Sequence, residues 1–111
     1  MIYFDNNDTT QLHPDILEKM IPFFTEKFGN PASLHNLGLE AESAIDEARL
    51  QISGAIGAKP KELIFTSGAT ESNNLAILGA ARARPNKKHL IISSVEHASV
   101  LNAAKRLEKD G

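Results

Sequence analysis

An α/β fold is predicted for this 111-residue chain, and three features of its sequence predict it. Two short apolar runs, ELIFT at residues 62–66 and HLIIS at residues 89–93, have the length and composition of buried strands, and each is followed by apolar residues at helical spacing. A helix-length connection between two strands is the usual parallel crossover, whereas an antiparallel pair needs only a tight turn. Turn residues punctuate these segments without any repeat, low-complexity tract or Ser/Gly-rich linker, so the chain reads as one continuous unit.

The elements follow in order. Ile2, Tyr3 and Phe4 form a short apolar arm that gives way at Asp5, Asn6, Asn7 and Asp8 to a loop, because these side chains hydrogen-bond nearby backbone. Pro14 suits the first position of a helix, and Leu17, Met20, Ile21, Phe24 and Phe28 continue one apolar stripe, with Pro22 expected to kink or interrupt it. FGNPASLHNLG, residues 28–38, reads as a loop fixed at Pro31 and freed at Gly29 and Gly38. A longer helix carries Ala41, Ala44, Ile45, Ala48, Ile52 and Ile56 on a narrow face of mostly small residues, and Gly57 is placed to end it. After the first strand, Leu75, Leu78 and Ala81 mark a helix; after the second, Val100, Leu101, Ala104 and Leu107 mark the last. Two parallel strands alone make no viable sheet, so the sequence reads as part of a larger one.

Length and composition set bounds. A chain this short suits one small domain that buries roughly two-thirds of the surface its unfolded form exposes. Twelve basic against 14 acidic side chains give a net charge of −2, which provides no broad electrostatic reason to bind nucleic acid or an anionic membrane. There is no cysteine, hence no disulfide, no thiolate ligand and no thiol nucleophile. The start MIYFDNNDTT lacks the form of a signal peptide, and no stretch approaches a membrane span, so a cytoplasmic location is expected. His13, His35, His89 and His97 have no i, i+4 pairing, and no metal site is expected.

Chemistry concentrates after the two runs. In an open α/β sheet, ligands sit beyond the carboxyl ends of the strands, where helix N-termini present unpaired N–H groups. FTSGATESNN, residues 65–74, occupies that place: Gly68 and Ala69 allow close backbone approach, and Thr70 adds a hydroxyl. It matches neither the Walker pattern nor the dinucleotide fingerprint. A phosphate cradle and a plain helix start capped by Ser67 or Thr70 both fit the local residues. His97, in SVEHASV, falls at the same edge; its imidazole could stack on an aromatic cofactor or move protons, or serve as a helix-start residue.

Taken in series, YFDNNDTT, FGNPASLHNLG, IFTSGATESNNLAI and SVEHASVL resemble the N-terminal part of the cysteine desulfurases, pyridoxal-phosphate enzymes of the class V aminotransferase group. The resemblance runs from Ile2 to Gly111. It implies an incomplete piece of the fold-type I large domain, an N-terminal arm and helices followed by a βαβα unit. Residues 1–111 then form a single partial domain, without the rest of the large domain or the C-terminal small domain. It also implies pyridoxal 5'-phosphate as cofactor, with Ala69 and Thr70 donating to its phosphate and His97 stacking on its ring and assisting proton transfer. The loops DNNDTT and GNPASLH match segments near the active site and dimer interface. One departure is Asp8, where the family usually has alanine.

The implied reaction removes sulfur from L-cysteine to give L-alanine and an enzyme persulfide, which passes to an iron–sulfur scaffold or other acceptor protein, in a homodimer. The family's Schiff-base lysine, nucleophilic cysteine, pyridine-facing aspartate and carboxylate-binding arginine lie beyond the equivalent of Gly111; Lys105 does not match the lysine position. The isolated chain is therefore expected to be inactive, and, because one face of its short sheet lacks cover, to be loosely packed, swapped or oligomeric. A truncated non-catalytic binding module and a related class V enzyme such as a selenocysteine lyase are the alternatives.

Overall fold

The computed structural model describes residues 2–111 and builds them from four α-helices and one 3₁₀ turn: α1 (Pro14–Thr25), α2 (Asn36–Ile56), the 3₁₀ turn Pro60–Glu62, α3 (Ala69–Ala83) and α4 (Ala98–Asp110). The chain divides into two compact units, one running to Leu63 and the other from Ile64 to Gly111.

In the first unit, the Tyr3 hydroxyl lies 3.0 Å from both the Asp5 and the Thr9 carbonyl oxygens, closing the polar loop that the sequence places there. Helix α1 starts with Pro14, whose missing N–H costs nothing in the first turn. It continues through Pro22 to Thr25, so Pro22 does not interrupt it. Only three residues follow Pro22 before the helix stops, and the Pro22 carbonyl then accepts from both Glu26 and Lys27 N–H. Phe28, expected on the α1 stripe, lies beyond its end.

Gly38, expected in the loop, instead lies buried in the first turn of α2. The reason is steric: a Cβ on Gly38 would stand 2.1 Å from the Ser33 carbonyl oxygen, and one on Gly29 would stand 2.1 Å from that of Leu37. The loop therefore lies directly against the helix start, with glycine required on both sides. Lys27 joins Glu40 at 2.9 Å across the same junction, and this carboxylate raises the lysine pKa, chiefly through its hydrogen bond. Helix α2 buries its small residues, Ala41 and Ser53, while Ile45, Ile52 and Ile56 remain exposed. It ends as the sequence predicts: Gly57 is left-handed at φ 69°, ψ 24°, and Ala58 N–H reaches back to the Ser53 carbonyl at 2.9 Å. The Arg49 side chain donates to the Leu63 carbonyl.

The second unit is a pair of packed helices, α3 and α4. The two predicted strands do not form: no strand pairing occurs among the described residues, and Glu62 belongs to the 3₁₀ turn. Parallel ladders are the weaker kind and depend on burial of both faces. Here Ile64 is 65% and Ile91 85% exposed, so neither run has the apolar cover that would hold a ladder. Side chains on α3 and α4 do find cover: Ile77, Leu78, Ala81, Val100, Leu101, Ala104 and Leu107 are half-buried and Ala103 is buried, whereas Leu75 is exposed.

Candidate functional site

Three of the four α-helices begin under a histidine. His13, His35 and His97 each accept a first-turn backbone N–H on Nδ1, a lone pair doing what an aspartate or serine oxygen does at most helix starts. Helix α3 differs. Its N-cap is Gly68, in extended backbone, and no side chain caps it. Ser67 and Thr70, the sequence-level candidates for that cap, do not take the role.

What they do instead shapes the turn. Ser67 donates both its N–H and its hydroxyl to Glu71 Oε2, each at 2.7 Å. These two bonds, the hydroxyl's first, hold the Glu71 carboxyl below its ordinary pKa. Behind the turn, Thr66 Oγ1 donates to the Gly68 carbonyl at 3.2 Å and lies 2.7 Å from Ser72 Oγ. The backbone from Thr66 to Ser72 is thus braced by its own side chains, while the start of the helix is left uncapped. Ala69 and Thr70 are exposed there, in the first turn, where N–H groups lack an intrahelical acceptor and the helix dipole is positive. A Cβ added at Gly68 would meet nothing within 4 Å, so the space in front of the turn is open.

His97 reaches the same end of the helix pair. Asn73, one turn into α3, donates from Nδ2 to Ser99 Oγ in the first turn of α4 at 2.8 Å, which sets the two helix N-termini side by side. Ser99 Oγ is in turn 2.9 Å from His97 Nδ1, and the Ser99 N–H donates to that same nitrogen at 3.1 Å. Ala69, Thr70 and His97, separated by up to 28 positions in sequence, therefore cluster at one end of the α3–α4 pair. At the other end, Lys88 Nζ donates to the Gly111 carbonyl at 2.8 Å.

Sequence reasoning missed Asn73 and Ser99. The His-x-Ser spacing at 97–99 is a legible helix-start signal, but nothing in the sequence pairs Ser99 with an asparagine 26 residues earlier. An open set of N–H donors beside a flat imidazole can receive an anionic group carried on a planar ring. Among the described residues no three His, Cys, Asp or Glu side chains gather as a metal site, and no helix is long and apolar enough to cross a membrane.

The chain is 47% identical over its whole length to "Cysteine desulfurase 2" of Trichormus variabilis, and 56% identical over 99% of its length to "Cysteine desulfurase IscS" of Rickettsia bellii. It spans 28% and 27% of those two proteins. Among solved structures it is similar to a "NifS-like protein", with a TM-score of 0.90 at 41% identity over 99% of this chain and 30% of that one. It is also similar to "SspA in complex with cysteine", with a TM-score of 0.89 at 45% identity over 98% of this chain and 32% of that one. These neighbours make the fold a partial fold-type I one, of which the helical part is what this chain displays. The family model for aminotransferase class V matches residues 2–111, and the chain belongs to that family.

Proposed function

We propose that this chain supplies the phosphate cup and the ring-facing histidine of a pyridoxal-phosphate-dependent cysteine desulfurase. The observation that carries the proposal is the uncapped start of α3 beside His97: it is the one α-helix start among the described residues without a side-chain acceptor. Ala69 and Thr70 would donate to the phosphate, and the positive end of α3 would favour its charge. The His97 ring would lie on the cofactor's face and hold or move a proton at its outer nitrogen. The cofactor, when bound, supplies the electron sink that lets a carbon–sulfur bond break.

The rest of the assignment follows the relatives' names and the family resemblance. The substrate is L-cysteine, the products L-alanine and a persulfide, and the assembly a cytoplasmic homodimer that hands sulfur to an iron–sulfur scaffold or another acceptor protein. With no cysteine among its 111 residues, this chain cannot itself carry the persulfide.

Titration of the ¹⁵N-labelled chain with pyridoxal 5'-phosphate, and with pyridoxal as control, tests the cup. Shifts centred on the Ala69 and Thr70 amides and on the His97 ring, competed by inorganic phosphate and absent with pyridoxal, are expected. Amides that respond equally to both compounds, or not at all, would overturn the assignment. Incubation with L-cysteine and cofactor should release no alanine; release at enzymatic rates would show that the chain needs no further residues.

A further inference from the structure

We propose that Asn73 and Ser99 are positioning residues that fix the tautomer of His97, leaving its Nδ1 a lone-pair acceptor and its proton on Nε2. A backbone N–H can only donate, so the 3.1 Å contact from Ser99 N–H requires a lone pair on Nδ1. The Ser99 hydroxyl has one proton. With a lone pair and no proton on Nδ1, the 2.9 Å contact can only be the hydroxyl donating to that nitrogen, while Asn73 Nδ2 donates to the hydroxyl oxygen at 2.8 Å and holds it in place. Both bonds favour one form of the neutral ring, in which Nε2–H faces away from the helix.

A helix start does not need this arrangement. His13 and His35 cap α1 and α2 through a single backbone N–H each, at 3.3 Å, and no hydroxyl bond to either ring accompanies it among the described residues. Only at His97 does a second donor close on Nδ1, and that donor is buried at 7% exposure and tied to the helix that carries Ala69 and Thr70. The relay thus couples the ring's orientation to the phosphate turn one helical turn away from Asn73. Its relevance to chemistry rests on the proposed role of His97; its existence does not.

Ring-nitrogen chemical shifts from long-range ¹H–¹⁵N correlation, recorded on the full chain at mildly alkaline pH where imidazole is neutral, read the tautomer directly. His97 should lie nearer the pure Nε2–H form than His13 and His35, which serve as internal references. Ser99→Ala should move it toward those two, Asn73→Ala should do so partially, and Ser99→Thr should restore the wild-type shifts. An Nδ1–H ring in the wild type would overturn the proposal. So would His97 shifts unchanged in both alanine variants while circular dichroism shows the helices retained. If Ser99→Ala loses helix, the Asn73→Ala and Ser99→Thr pair decides by the same criteria. The measurement contains no cofactor, so a tautomer that responds as expected in a chain indifferent to pyridoxal phosphate would keep the relay and sink the cup.

Discussion

The carbonyl oxygen of Leu37 occupies the place where a side chain on Gly29 would have to go, 2.1 Å from the position of its Cβ, and Gly38 meets the Ser33 carbonyl at the same separation. Backbone is the obstacle in both cases, so no rotamer relieves it. Gly38→Ala should cost about 1–3 kcal/mol, the usual range for forcing a methyl into a filled space, and should speed amide exchange in the first turn of α2. Gly54→Ala provides the opposite sign. Gly54 also lies in α2, but nothing stands within 4 Å of its added Cβ, so the change should gain about 1 kcal/mol of helix propensity. Equal effects at the two positions would mean that the loop does not rest on the helix as described.

The Ser67–Glu71 clasp predicts an acid-sensitive turn. The folded pKa of Glu71 is depressed, so the stability it brings is present above the unfolded glutamate value and is lost as pH falls through the lower folded one. The carboxyl carbon of Glu71 should therefore titrate below the ordinary 4.5. Ser67→Ala removes the larger of the two bonds and keeps the backbone one, so it should return the midpoint most of the way. A midpoint unmoved by Ser67→Ala would show that the hydroxyl is not the cause.

Around residues 3–9, the Tyr3 hydroxyl shares one proton between two carbonyl oxygens. Tyr3→Phe should open the loop and cost about 0.5 kcal/mol, the low end for a hydrogen bond, since the site is exposed. Asp8 is exposed in that loop, and its backbone rather than its carboxylate makes the 3.1 Å bond to the Asp5 carbonyl. Asp8→Ala should leave exchange of the Thr9 amide unchanged. Protection lost in Asp8→Ala but not in Tyr3→Phe would reverse these roles.

What was legible in the sequence tracks the range of the forces involved. Pro14 at a helix start, Gly57 at a left-handed end and the polar loop at 5–8 are set by neighbours within a turn or two, and each is found. The turn before α3 lies where the sequence puts it, but of the two local readings the helix start capped by Ser67 or Thr70 is not realised: Ser67 is drawn off by Glu71, a competition between two local bonds that composition does not rank. The strands at 62–66 and 89–93 failed for a non-local reason, since a ladder needs partners and cover that no local pattern guarantees. Gly38 looked like a loop residue because glycine usually is one; its close approach to Ser33 is visible only in three dimensions. Asn73 and Ser99 belong to the same class.

Burial bears on how the isolated chain should behave. Among the described residues the buried apolar side chains are Ala41 and Ala103, whereas Phe4, Phe24, Leu34, Ile91 and Val95 are each more than 70% exposed. Two buried alanines and the partial cover between α3 and α4 bury too little apolar area to offset the conformational entropy of ordering about a hundred residues. Helices held mainly by their caps and by the α3–α4 contact should melt over a broad range, with near-native far-ultraviolet dichroism, weak near-ultraviolet signal and strong binding of a hydrophobic dye. Self-association that rises with concentration should sharpen the transition by covering the exposed side chains. A sharp, concentration-independent melt of a monomer, with calorimetric and van't Hoff enthalpies equal, would contradict this and require a core that the described residues do not contain.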